Sequence, residues 1–139
     1  QVVYSLMNCE SVELIRDLGS NGAGVFARES LANGFLSGTI TKSAVFPQNN
    51  LNKRYDGDEL AERVDRVDSL RFLIRDEVNT MPQAAFRWVL DNSNVSLVLS
   101  GARNVAELED AVSVSDTPSF SSNELERADA IHTRDFEAA

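Results

Sequence analysis

Residues 24–38, GVFARESLANGFLSG, pass from a short apolar run, Val25, Phe26 and Ala27, into small and polar residues that include Ser30, Asn33, Gly34, Ser37 and Gly38. Where bulky side chains are missing, successive backbone N–H groups can converge, and such a concavity suits a phosphate or pyrophosphate. The same composition also serves an ordinary strand-to-helix connection. A second loop of this kind, Ser100, Gly101, Ala102, Arg103 and Asn104, follows another short apolar run and carries a guanidinium.

The elements that must position these loops alternate. Residues 1–6 form a nearly continuous apolar run, the pattern of a parallel strand buried on both faces. Val12, Leu14, Ile15 and Leu18 then predict a short amphipathic helix, closed at its C-terminus by Gly19. Residues 24–28 predict the second strand, giving the strand–helix–strand unit of a parallel sheet. Residues 41–58, with Pro47 and the Asn49, Asn50 and Asn52 cluster, have no period and read as a long loop, of the kind that is usually either a functional lid or a disordered segment. Residues 58–77 place Leu60, Val64, Val67, Leu70, Leu73 and Ile74 on one helical face and charges of both signs elsewhere, a solvated, pair-laced surface. Thr80 and Gln83 spell a capping box with Pro82 in the first turn of a further helix, in which Trp88 reads as a core anchor. Residues 95–99 predict the third strand, followed by a helix whose apolar face is Val105, Leu108, Ala111 and Val112. Ser121 and Glu124 cap a last helix with Leu125, Ala128 and Ile131 inward. His132 reads as a surface cation favoured by that helix's dipole, and residues 135–139 as a frayed tail.

The 139 residues suit a single domain spanning 1–139, large enough to bury roughly two-thirds of its unfolded surface. Thirteen Lys and Arg against twenty-two Asp and Glu give a net charge of −9, which opposes nucleic acid and anionic membranes as partners. Cys9 is the one cysteine, so no intramolecular disulfide forms, and with no signal-peptide pattern or membrane-length apolar run a cytoplasmic location is expected. Gln1 opens directly onto a strand-like run, from which a processed product or a fragment of a longer chain is expected.

In this order and at these separations, QVVYSLMN, GVFARESLANGFLSG, PQAAFRWVL and LSGARNVAELED resemble the C-terminal half of the aldo/keto reductases. The resemblance covers nearly the whole chain. It implies an α/β fold, the parallel (βα)3 half of a TIM-type (β/α)8 barrel holding its sixth to eighth strands, with an additional C-terminal helix. In such barrels phosphate is commonly held by the loops after strands seven and eight, where both small-residue loops fall. The resemblance further implies NADP as cofactor. Gln1 would meet the nicotinamide carboxamide, and Arg28, Glu29, Leu31 and Gly34 would pass beside the nicotinamide and pyrophosphate. Gly101, Arg103 and Asp110 would flank the adenosine, Arg103 being the natural cation for the 2′-phosphate.

Four positions depart from the family pattern. Arg28 stands in place of a stacking aromatic ring, Glu29 and Ser30 in place of a Ser-Pro pair, and Ala111 in place of an adenine-contacting asparagine. No catalytic or metal-ligating residue is assigned. The family's Asp, Tyr, Lys and His tetrad sits on early strands, and Tyr4, Tyr55, Lys42 and Lys53 do not match its contexts. The leading expectation is an NADP-binding half-barrel of an oxidoreductase, inactive alone and partnered by a missing N-terminal half. The second is a non-enzymatic, self-associating or nucleotide-binding module, a homo-oligomer through bare sheet edges. A free-standing Rossmann-type domain lacks its G-x-G-x-x-G after the first strand.

Overall fold

A computed structural model describes the backbone of residues 1–136 and side chains through His132. Three parallel strands, β1 (Val2–Val3), β2 (Phe26–Arg28) and β3 (Leu97–Val98), lie in the order β1-β2-β3. Val2 pairs with Ala27 and Ala27 with Val98, while Val3 pairs with Arg28 and Phe26 with Leu97. The ladders are shorter than the apolar runs that announce them, although Tyr4 N–H still reaches Arg28 O at 3.2 Å and Leu99 N–H reaches Ala27 O at 2.8 Å. Beyond Tyr4 the chain turns, because Ser5 and Asn8 exchange two backbone hydrogen bonds of 3.0 Å. Leu6 therefore belongs to a turn.

Burial on both faces does not hold. Val2, Ala27 and Val98 face the packed core, whereas Phe26 on the alternate face of β2 is 39% exposed and Leu99 just past β3 is 40% exposed. One sheet face is covered by helices and the other is bare, so one strand pattern serves two unequal environments.

Helices α1 (Val12–Ser20), α2 (Gly57–Ser69), α3 (Met81–Leu90), α4 (Val105–Ser113) and α5 (Ser122–Phe136) supply the covering layer. Gly19 does not close α1. It sits inside the last turn, where an added Cβ would fall 2.6 Å from the Asn94 Cβ, so glycine is required there by close approach. α3 is the central helix: Ala84, Ala85 and Val89 are fully buried, and Trp88 packs on Tyr4 with ring centroids 4.9 Å apart. Its N-cap is Thr80, which accepts the Gln83 N–H, while the Gln83 side chain accepts the Asn79 N–H at 2.7 Å.

α2 is shorter than its pattern. It ends at Ser69, the chain tightens into a 3-10 turn at Arg71–Leu73, and Asp76 reverses it with a φ of 50°. The run Leu70 to Ile74 holds too many apolar residues for one helical stripe, and the tighter turn buries Leu70 and Leu73 together. α4 departs further: Val105, Leu108 and Val112 are exposed, and nothing in the described residues covers them. The arginines of residues 58–77 are also less solvated than a surface stripe. Arg63 stacks on Tyr55 at 3.8 Å, and Arg75 grips Glu124 at 2.6 and 3.0 Å.

The α5 capping box forms as read, with Ser121 N–H on Glu124 and Glu124 N–H on the Ser121 hydroxyl. His132 is half-buried on this helix beside Asp129; burial raises the Asp129 carboxyl above its ordinary value, and His132 offsets part of that shift. Helix geometry continues through Phe136, and the rest of the expected frayed tail lies outside the described residues.

The Arg75 guanidinium holds the Glu124 carboxyl down at about 2, helped by the Ser121 hydrogen bonds. A depressed carboxyl contributes stability that is complete above its unfolded pKa and is lost as pH falls. Urea midpoints of the wild-type chain and Glu124→Gln are accordingly expected to differ most above pH 5 and to converge as pH falls from about 4.5 toward 2.

Candidate functional site

A cleft of about 850 Å³ opens at the C-terminal ends of β2 and β3. One wall is the chain leaving β2, from Arg28 through Ser37. The opposite wall is the chain leaving β3, from Leu99 through Arg103 onto Glu107, Asp110 and Ala111 of α4. Pro82 and Phe86 of α3 supply apolar surface, and Phe46, Asn50 and Asn52 come over from the long loop.

The first wall is bent sharply. Glu29, Ala32, Asn33 and Gly34 all have positive φ, near 50° for the first three and 92° for Gly34, a region that suits glycine and asparagine and strains Glu29 and Ala32. Burial holds the bend in place. Phe35 and Leu36 plug into the core, and buried Ser30 donates its hydroxyl to Tyr4 O at 3.1 Å, tying this wall to the residue after β1. Asn52, itself buried, donates to Asn33 O at 2.9 Å, and Tyr55 packs edge-on against Phe35. The long loop is thereby fastened over the cleft as a strap.

An open nest of amides is not what this wall offers. The N–H groups of Ala32, Gly34, Leu36 and Gly38 donate to carbonyls of the same segment at 2.7–3.1 Å. Gly34 contributes a backbone conformation and an absent side chain; its amide is already engaged with Leu31 O at 2.9 Å.

The second wall is organised by Asp110. Its carboxylate accepts from the Thr80 hydroxyl at 3.0 Å and from Gln83 Nε2 at 2.6 Å, and Gln83 also reaches the Ser113 hydroxyl. Asn104 caps α4 by accepting the Glu107 N–H at 2.9 Å. Arg103 is tied to Glu107, with Nη2 on Oε1 at 2.9 Å and the backbone N–H on Oε2 at 2.8 Å. Those bonds from Arg103 hold the Glu107 carboxyl below its ordinary value. Arg28 is likewise paired, with Glu29.

Of the eight residues singled out in the sequence, seven line the cleft: Arg28, Glu29, Leu31, Gly34, Gly101, Arg103 and Asp110. Gln1 does not; it precedes β1, and by the register it shares the uncovered face with Val3 and Arg28. Tyr4 is buried, which pushes its hydroxyl up to about 12, and it accepts from Asn92 at 3.4 Å. Tyr55 lies under the guanidiniums of Arg54 and Arg63. Neither tyrosine lines the cleft, nor does Lys42, which pairs with Asp65. Burial likewise pushes the Cys9 thiol up to about 12, leaving it no thiolate character. Among the described residues, no group of three or more His, Cys, Asp or Glu could hold a metal ion, and no helix is long and apolar enough to cross a membrane. Sequence reasoning missed Asn52 and Glu107 as cleft residues. The Asn cluster and the four-residue spacing of Glu107 from Arg103 were their visible signals.

Comparison with known proteins matches residues 1–133 to the Aldo/keto reductase family. The L-glyceraldehyde 3-phosphate reductase of Escherichia coli (strain K12) is 30% identical over 140 residues, spanning 93% of this chain and 40% of the relative. Its counterpart in Escherichia coli O157:H7 is 30% identical over 139 residues, with the same coverage. Among solved structures, the glycerol dehydrogenase AKR11B4 from Gluconobacter oxydans superposes with a TM-score of 0.83 at 22% identity, over 94% of this chain and 41% of that one. The aldo-keto reductase AKR11C1 from Bacillus halodurans, in its holo form, gives 0.67 at 18% identity over 93% and 40%. The chain thus spans about 40% of the length of the curated relatives it matches.

Asp110 touches both the cleft and the α3–α4 junction, and the two roles separate by mutation. Asn offers one acceptor oxygen to two donors, so Asp110→Asn is expected to lower the unfolding free energy by about 1–2 kcal/mol in urea denaturation. A residue serving a ligand alone would leave that value unchanged.

Proposed function

We propose that this chain, which belongs to the aldo/keto reductase family, is the C-terminal, cofactor-binding half of a TIM-type (β/α)8 oxidoreductase that uses NADP(H). The observation that carries this reading is the cleft itself. Its two walls follow consecutive parallel strands at their C-terminal ends, where barrels of this type place ligand phosphates. The volume, the apolar surface of Pro82 and Phe86 and the two guanidiniums suit a nucleotide. Arg28 would lie against the nicotinamide, Glu29, Leu31 and Gly34 beside the pyrophosphate, and Gly101, Arg103 and Asp110 around the adenosine. When bound, NADPH would supply a hydride to a carbonyl carbon, and NADP+ would accept one from the carbon of an alcohol.

This chain's own residues bind and orient. Among the described residues the cleft lining holds no Tyr, Lys or His. Its carboxylates Glu29, Glu107 and Asp110 are engaged by Arg28, Arg103 and the Thr80–Gln83 pair, so the proton donor for a carbonyl oxygen is expected from the rest of a complete barrel. Catalysis belongs to a complete barrel, whose substrate follows the pattern of the relatives: a small carbonyl compound or polyol such as glyceraldehyde phosphate or glycerol. Calorimetric titration of the isolated chain is expected to show NADP+ binding that Arg103→Ala weakens by about tenfold, with no NADPH oxidation when glyceraldehyde is added. No binding by the wild-type chain, or steady turnover, would overturn the proposal.

Self-association is a second reading, favoured by what stays uncovered. Phe26 and Leu99 on the sheet and Val105, Leu108 and Val112 on α4 are exposed, and β1 and β3 are both edges. A second copy, or the N-terminal half of the barrel, would cover this surface. Light scattering at tens of micromolar is expected to show a dimer or larger species, and a clean monomer would remove this reading.

A further inference from the structure

Two guanidiniums, Arg28 and Arg103, face three carboxylates, Glu29, Glu107 and Asp110, in the cleft lining. Both cations are already paired with a carboxylate next to them. For an anion site this is a large internal charge, and the Arg103 pair is the one that meets the adenosine end.

The geometry shows which partner would yield. Arg103 presents Nη2 to Glu107 Oε1 at 2.9 Å and Nε to Oε2 at 3.4 Å, the guanidinium edge that a phosphate would occupy. Its side chain is 84% exposed and can swing away. Glu107 is less free: its Oε2 also takes the Arg103 backbone N–H at 2.8 Å, and its own N–H is capped by Asn104. A 2′-phosphate must therefore take Arg103 from a carboxylate that stays nearby and repels it.

We propose that Glu107 is the residue that sets discrimination between dinucleotides with and without a 2′-phosphate, holding Arg103 so that the preference for the phosphorylated form is small. This rests on the cofactor reading above and goes beyond it. The remainder of a dinucleotide does not compete for Arg103, so Glu107 penalises NADP+ and leaves NAD+ nearly untouched. A merely structural Glu107, holding the Arg103 N–H ahead of α4, would alter stability without changing the ratio of the two affinities.

The test is the dissociation constants of NADP+, NAD+, adenosine 2′,5′-bisphosphate and adenosine 5′-monophosphate for the wild-type chain, Glu107→Gln and Glu107→Asp. Gln keeps an oxygen for the Arg103 N–H, which protects the helix cap. Glu107→Gln is expected to tighten the two 2′-phosphorylated ligands by about fivefold while the other two change by less than about twofold. Glu107→Asp, retaining the charge, stays near the wild-type ratio and covers the case of a poorly folded Gln variant. An unchanged ratio in Glu107→Gln with NADP+ still binding overturns this inference alone. Absence of binding by any of the four nucleotides overturns it together with the cofactor reading.

Discussion

The cleft depends on one carboxylate. Asp110 takes the Thr80 hydroxyl and the Gln83 amide at the N-terminus of α3, and so fixes where α4 begins and where Arg103 and Glu107 stand. Gln83 is 6% exposed, and a buried polar group of this kind costs free energy unless its partners are present. The network fixes the relative position of α3 and α4 more tightly than apolar contact could, since α4 has no buried residue of its own. At the other end of α3, Arg87 pairs with buried Asp91 at 3.1 Å and reaches the carbonyls of Val114 and Thr117, while Asp91 accepts the Phe120 N–H. α3 is thereby a rigid bar to which both the cleft wall and the C-terminal segment are fastened.

Opposite it, the wall after β2 holds a shape its sequence does not favour. Three non-glycine residues in the left-handed region are stabilised by the burial of Phe35 and Leu36, by the Ser30 bond to Tyr4 and by the Asn52 strap. Strain of this kind persists only where the surroundings over-determine it, and it gathers where a ligand must meet a fixed backbone. With several amides of this wall bonded internally, recognition of an anion falls more heavily on side-chain charge. Both guanidiniums in the cleft are balanced by neighbouring carboxylates.

Local signals in the sequence proved readable where local physics decides. The Thr80 and Ser121 caps, the order of strands and helices, the core place of Trp88 and the convergence of two small-residue loops all follow from propensity, period and position in a parallel sheet. The misses share a cause, namely tertiary contact. Gly19 looks like a helix stop, yet it is there because Asn94 approaches it. The apolar stripe of α4 promises a core contact that this chain does not supply. Asp110 carries a ligand-like position and an internal bond at once, and Arg103 looks like a free cation until Glu107 is seen to hold it. Family membership narrows the chemistry, but these particular pairings are properties of this chain's own side chains.

The central claim is that the walls after β2 and β3 form one dinucleotide site, and backbone amide shifts in an NADP+ titration test it most directly. The account predicts shifts concentrated at Leu31, Gly34, Gly101, Arg103 and Asp110, saturating together with a single dissociation constant. Shifts confined to α1 and α5, or two walls that saturate independently, would contradict it.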